Sequence, residues 1–307
     1  MSRLRLRETI INCLSETQSD SYEVQEKALQ TLVSITKVSP QTRSLLAQTD
    51  EAVSTLLYLT KSSSSSVQFL SLSILLNLSL NPDLKQSLAG METIYRLNSI
   101  IQSPSSEETI KLASSLICSL AMIDKNKAKF GVGGTIQVLV KAISAPCGPA
   151  GHHLLSSLAE LVQFHGNCSL AVRSGAVAVL IQVIGSTEGE DLAGTSLAVL
   201  NLLARFDEGL SALRKREQIV SSMFDVLKGR SMFSKEGAAE ILLRLFDESE
   251  GCVRDALRVP EFSTVLADLS IRGSCKAREK ANQLMKKMVE EASMDPYIDG
   301  SSMLYQW

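Results

Sequence analysis

An apolar helical run ending in a leucine-centred signature returns along almost the whole chain, each time followed by a short polar segment and another apolar helix. The signature reads Thr31-Leu32-Val33-Ser34, Asn77-Leu78-Ser79-Leu80, Ser119-Leu120-Ala121-Met122, Glu160-Leu161-Val162-Gln163, Asn201-Leu202-Leu203-Ala204 and Arg244-Leu245-Phe246-Asp247. Its leucines recur at steps of roughly 41 to 46 residues, the spacing of stacked helical units. One such unit cannot cover its own apolar face and needs neighbours on both sides. The pattern predicts an all-α solenoid over 1–291, a class that presents an extended surface to another macromolecule rather than performing chemistry.

Apolar residues make up 45% of the chain and aromatics only 5%, which suits helices packed through Leu, Ile, Val and Ala rather than a pocket lined with rings. The formal charge of −2 supplies no general attraction to nucleic acid. Arg3, Arg5 and Arg7 precede a segment in which Glu8, Asn12 and Ser15 interrupt the apolar residues, so no secretory core is legible. Nor does any stretch reach the about 18 uninterrupted apolar residues of a membrane span. The expectation is a monomer of the cytoplasm or nucleus, without cofactors. Cys13, Cys118, Cys147, Cys168, Cys252 and Cys275 form no CxxC pair, and are expected as reduced fillers of helix interfaces rather than zinc ligands.

The clearest repeat covers 82–123. Its first helix, at 82–89, opens on Pro82 and stops at Gly90; the second, at 92–101, carries Ile94, Leu97, Ile100 and Ile101 on one face; Ser103-Pro104-Ser105-Ser106 breaks it. The third starts near Glu107, with Leu112, Leu116, Ile117 and Leu120 as its buried stripe. The same order returns at 124–134, 135–145 and 150–164, at 165–175, 176–185 and 190–206, and at 207–216, 217–229 and 234–246. Residues 71–78 are apolar around most of a helix and are expected in the core. A charged helix at 275–291 reads as the terminal cap, and 9–15 with 22–37 as a truncated first repeat, giving about seven repeats. Residues 292–307, with Tyr297, Tyr305 and Trp307, read as a non-repeat tail.

Arg173-Ser174-Gly175-Ala176-Val177-Ala178-Val179-Leu180-Ile181 resembles the armadillo turn wording "xxGAIPxLVxLL", and Leu76-Asn77-Leu78-Ser79 the "LxNLS" ending of its third helix. More narrowly, 75–81, 115–127 and 175–177 resemble the armadillo region of plant U-box proteins, ubiquitin ligases that hold substrates on these repeats. The resemblance implies a right-handed superhelix of three-helix repeats, and an adaptor role that is ubiquitin-linked or in signalling. The repeats begin within the first twenty residues and no segment resembles the Cys-Pro-Ile opening of a U-box. A chain complete as it stands is therefore expected to lack ligase activity; the alternative is the substrate-holding part of a U-box ligase. Importin-α-type repeats place Trp four residues before the third-helix Asn; Ser73 and Leu197 stand there, against a nuclear carrier.

The resemblance also implies that third helices line a concave groove that binds a protein or extended peptide, and nominates Asn77 and Asn201 as contacts to its backbone. An Asn there also serves simply as a brace between neighbouring loops, and the sequence leaves both readings open. Lys111, His152, Lys235 and Arg244 fall on the same helices and suit an acidic partner, or a solvated face. His152 and His153 point about 100° apart on a helix and have no third ligand at metal spacing. Residues 131–135 are glycine-rich but lack the GK[ST] of a phosphate loop and read as a helix junction. The Asn77-Leu78-Ser79 and Asn167-Cys168-Ser169 triplets read as coincidental glycosylation matches. Ser62 to Ser66 read as an exposed loop between two helices, the second starting at Val67, with phosphorylation as the functional alternative.

Overall fold

The computed structural model describes residues 3–103, 105–145, 148–186 and 190–294. Among them the regular structure is helical, without a strand, and the fold is an armadillo-type α-solenoid. Two compact units are present, Met1–Leu170 and Ala171–Trp307.

The first unit opens with α1 (Arg3–Glu16) and α2 (Tyr22–Val38). Three full repeats follow: α3 (Pro40–Gln48), α4 (Ala52–Leu59) and α5 (Ser65–Ser79); α6 (Pro82–Leu88), α7 (Met91–Gln102) and α8 (Glu107–Ala121); α9 (Asp124–Val132), α10 (Thr135–Ile143) and α11 (Gly151–Leu161). The unit boundary falls within α12 (His165–Arg173). The second unit continues with α13 (Ala176–Ile184) and α14 (Glu190–Leu203), then α15 (Asp207–Arg214), α16 (Ile219–Lys228) and α17 (Met232–Glu248), and closes with α18 (Glu250–Arg258), α19 (Phe262–Arg272) and α20 (Cys275–Met294).

In the first unit α2 packs on α5, α5 on α8 and α8 on α11; in the second α14 packs on α17 and α17 on α20. Helices α5, α8 and α17 are thus covered on two sides by their counterparts, and each on a third by its own second helix. This is why α5 carries buried Ser71, Leu72, Ile74, Leu75 and Leu78 around so much of its circumference, as expected from its sequence. Serine starts these helices: Ser64, Ser106, Ser231 and Ser274 accept from the backbone N–H of Val67, Thr109, Ser234 and Ala277 at 3.1–3.3 Å.

The serine run is thus divided, with Ser62, Ser63 and the capping Ser64 in the loop and Ser65 and Ser66 in the first turn of the helix. Helix α5 begins at Ser65, two residues before the expected Val67, and Ser64 Oγ also donates to Glu26 Oε1 at 3.2 Å while Ser63 Oγ pairs with Tyr22 OH at 2.7 Å. Elsewhere α11 starts at Gly151, behind a single 3-10 turn, and α20 runs to Met294 rather than 291. Pairs α3–α4 and α18–α19 fill 40–59 and 250–272, where the sequence pattern gives no helix bounds. Cys13, Cys168 and Cys252 are interface fillers as expected, Cys118 is half-buried and Cys275 is exposed; Cys147 and the aromatic tail residues lie outside the described residues.

First and second helices meet at one turn position, filled differently from repeat to repeat. Gly134 (φ +78°) and Gly175 (φ +83°) take the left-handed conformation, Glu51 (φ 59°) and Glu261 (φ 66°) take it with a side chain, and Gly90 avoids it at φ −76°. A Cβ on either Gly90 or Gly175 would meet nothing within 4 Å, so only the backbone distinguishes them. Gly175→Ala should cost about 1–2 kcal/mol, and Gly90→Ala should be neutral or gain about 0.4–1 kcal/mol through the unfolded chain. Urea denaturation of the two variants checks this; equal effects would refute the backbone assignment.

Candidate partner-binding surface

Third helices packed side by side expose one row of side chains per repeat. On α5 the row is Phe69, Ser73, Leu76 and Leu80, at i, i+4, i+7 and i+11; on α8, Lys111, Ser115, Cys118 and Met122 hold the same places. Small hydroxyl groups sew these helices together and keep the row close-set. Ser79 Oγ donates to Ser119 Oγ at 2.8 Å, Ser157 Oγ to the Ser114 carbonyl at 2.6 Å, and Ser115 Oγ pairs with His153 Nδ1 at 2.9 Å.

Of the residues nominated from sequence, Asn77 is half-buried and turned toward α2: its Nδ2 donates to Thr36 Oγ1 at 3.1 Å and to the Val33 carbonyl at 3.4 Å. Lys111 is half-buried and paired with Glu108 at 2.7 Å. His152 is exposed on α11, beside the bonded His153. The first unit thus brings Lys111 and His152 to the third-helix face and uses the Asn77 amide N–H groups as a brace.

The polar residues that matter most in this unit lie where the signature meets the next first helix. Asn126 Nδ2 donates to the carbonyls of Leu120 (2.9 Å) and Lys85 (3.1 Å). Asn167 repeats this with Leu161 (3.0 Å) and Lys127 (2.9 Å). Both are buried, so each satisfies carbonyls that water does not reach. Lys127, with 5% of its side chain exposed, holds Asp124 at 2.9 Å and Glu160 at 3.0 Å. Burial works against its ammonium, but bonds and charges from Asp124 and Glu160 outweigh it and raise the pKa above 10.5. Cys118, on the same face, has its thiol pushed up by burial and by Glu160, with the charge of Lys85 pulling the other way. The Asn positions were legible only as glycosylation triplets or not at all; their 41-residue recurrence six residues after the signature leucine is the signal that finds them.

In the second unit Asn201 is also turned inward: Nδ2 donates to the carbonyls of Leu197 and Gly237, both at 3.1 Å, and its Oδ1 is buried without a partner among the described residues. Lys235 is half-exposed on α17. Arg244 is not a free cation, since Glu240 holds it at 2.9 Å and takes Lys280 of α20 at 3.0 Å. Lys287 to Asp247, and Ser274 to Glu236, continue this ladder between α17 and α20. Among the described residues no three His, Cys, Asp or Glu side chains converge as a metal site would need, and no single helix is long and apolar enough to cross a membrane.

Burial raises the Glu240 carboxyl, but Lys280 and Arg244 outweigh it and hold it below its ordinary 4.5. A depressed carboxylate stabilises the fold above its ordinary value and loses that contribution as pH falls through the folded one. Glu240→Gln should therefore lower stability at neutral pH and flatten the loss between about pH 5 and about pH 3. Urea midpoints across that range read the effect; an unchanged slope would show that the ladder contributes nothing.

Comparison with known proteins agrees with this architecture. U-box domain-containing protein 8 of Arabidopsis thaliana is 28% identical over 217 residues, covering 70% of this chain and 56% of its own length. U-box domain-containing protein 1 of Medicago truncatula is 32% identical over 116 residues, 38% of this chain and 17% of that protein. The chain thus spans less than two thirds of either relative. Among solved structures, computationally designed armadillo repeat proteins for modular peptide recognition superpose with a TM-score of 0.68 at 17% identity, over 78% of this chain and 99% of theirs. Residues 5–306 match the family model of the plant U-box protein ARM repeat region, and the chain belongs to that family.

Proposed function

We propose that this chain is a non-enzymatic scaffold that holds a protein or an extended peptide on its third-helix face. The observation that carries the reading is the stacking of α2, α5, α8 and α11 in one layer. Such a layer offers equivalent side chains at the about 8–10 Å spacing of packed helices, which an extended chain spans in about three residues. Exposed Phe69 (38%) and Phe233 (62%) on third helices supply apolar anchors, the side chains that dominate interface energetics. Lys111 and His152 flank the face of the first unit, and Lys235 and Arg244 that of the second. Asn77 and Asn201 support the face from beneath, the amide of Asn77 being committed to α2 and that of Asn201 to its own helix at Leu197 and to α17 at Gly237.

The relatives' names favour a second reading, in which the chain is the substrate-holding part of a U-box ubiquitin ligase. Fusion behind a U-box tests it: such a fusion should transfer ubiquitin to a partner that the chain captures, and no transfer to a partner that it binds would sink that reading and leave the scaffold standing. For the scaffold itself, partners are captured from cells that express the chain, using wild type, a Phe69→Asp/Phe233→Asp variant, and a Tyr58→Asp/Ile271→Asp control exposed on α4 and α19. Partners should be lost from the third-helix variant and kept by the control. The reverse pattern would move the working surface to the second helices.

A further inference from the structure

The first unit contains the same lysine position twice, once filled and once not. Lys85 of α6 and Lys127 of α9 are equivalent by their backbone: the carbonyl of each accepts from the next buried asparagine, Asn126 or Asn167, which also holds the end of the preceding third helix at Leu120 or Leu161. Their side chains run the same way. Lys127 Nζ reaches Gln163 Oε1 at 3.4 Å and Lys85 Nζ reaches Met122 Sδ at 3.3 Å, and Gln163 and Met122 are each two residues past that helix-end leucine.

The difference is in the acids. Lys127 is neutralised by Glu160 at 3.0 Å and Asp124 at 2.9 Å. At the equivalent places Lys85 finds Ser119, whose hydroxyl is bonded to Ser79, and Pro82. Lys85 is only 8% exposed, and among the described residues no carboxylate lies within 4.0 Å of its ammonium. Three N–H donors are left with one thioether, a weak acceptor, in a setting where an unpaired charge is costly.

We propose that Lys85 is a carboxylate-binding slot for the partner: an Asp or Glu side chain of the bound polypeptide takes the place at Lys85 Nζ that Glu160 takes at Lys127. This rests on the scaffold reading above and specifies its chemistry. The way in is past Met122, 61% exposed and flexible enough to swing aside. Leu80, 56% exposed at the same place on the preceding helix, offers an apolar footing for a residue beside the acid. A carboxylate fits better than a phosphate, because the neighbouring cation Lys127 is already consumed and Glu160 stands close enough to act on Cys118; a dianion needs more than one free cation.

Two experiments on the full chain test the slot. In the first, a phage-displayed random dodecapeptide library is selected on wild type, and the recovered peptides are measured against wild type and Lys85→Met, a near-isosteric change that keeps the carbonyl Asn126 uses. The peptides should carry an Asp or Glu whose replacement by Asn or Gln weakens binding at least tenfold on wild type and less than twofold on Lys85→Met. Peptides that bind both proteins equally would overturn the slot and leave the scaffold intact. The second needs no partner: Met122→Glu places a carboxylate beside Lys85 within the chain. It should raise the urea midpoint, lose that gain on the Lys85→Met background, and abolish binding of the acidic peptides. An equal gain on both backgrounds, or none, would show that Lys85 is no unfilled slot. A chain that selects no peptide at all overturns the scaffold reading and the slot together.

Discussion

A helix that is apolar around most of its circumference has to be covered from two sides, and for α5, α8 and α17 the cover is the third helices of the neighbouring repeats. Much else follows from that packing. Side chains between the helices stay small or aliphatic, as the serines joining α5, α8 and α11 show. The last carbonyls of a third helix are shut away from water, so a side chain has to meet them, and Asn126 and Asn167 do so while reaching the preceding first helix as well. What remains outside is a single row per repeat. The proposed partner surface is thus what is left over after burial, not a pocket formed for its own sake.

The two units spend their charge differently. In the second, α17 and α20 carry Glu240, Arg244, Lys280, Asp247 and Lys287, already matched with one another. A partner there would displace or bridge existing pairs, which favours specificity over gain in affinity. In the first, the face of α5 and α8 is mostly apolar or neutral, and its strongest charges lie beneath it at Lys85 and Lys127. Charges sunk in this way act at short range and are screened little by salt.

Much of the fold was legible because the repeats punctuate themselves. Pro82, Gly90, Gly134 and Gly175 mark helix starts and stops that a period of about 41 to 46 residues then confirms. The helix pairs that escaped, α3–α4 and α18–α19, are those whose turn is made by Glu51 and Glu261. With no glycine at the left-handed position the signal vanishes, although the backbone makes the same turn. The candidate surface was legible as helices but not as contacts. Whether an asparagine on a third helix faces a ligand or a neighbouring carbonyl depends on what stands about 40 residues away, and Asn77 and Asn201 both found partners there. Buried lysine pairing has in part the same character: Lys127 and Lys85 differ locally through Asp124 and Pro82, but also through Glu160 and Ser119, each more than thirty residues downstream.

The position of this brace is also filled in another way. Six residues after Leu203, where asparagine follows Leu120 and Leu161, the chain has Gly209, and a Cβ there would lie 2.1 Å from the Leu203 carbonyl oxygen. Asparagine holds that carbonyl through its side chain, whereas glycine lets the helix backbone come up against it. The asparagine and glycine junctions therefore have different gauges and cannot be interchanged, while α3, α6 and α18 place Thr42, Leu84 and Cys252 at the same point. Moving a first helix from one kind of repeat into the other would bury either a steric overlap or an unanswered carbonyl, so shuffling and consensus averaging have to respect which gauge a repeat was built to.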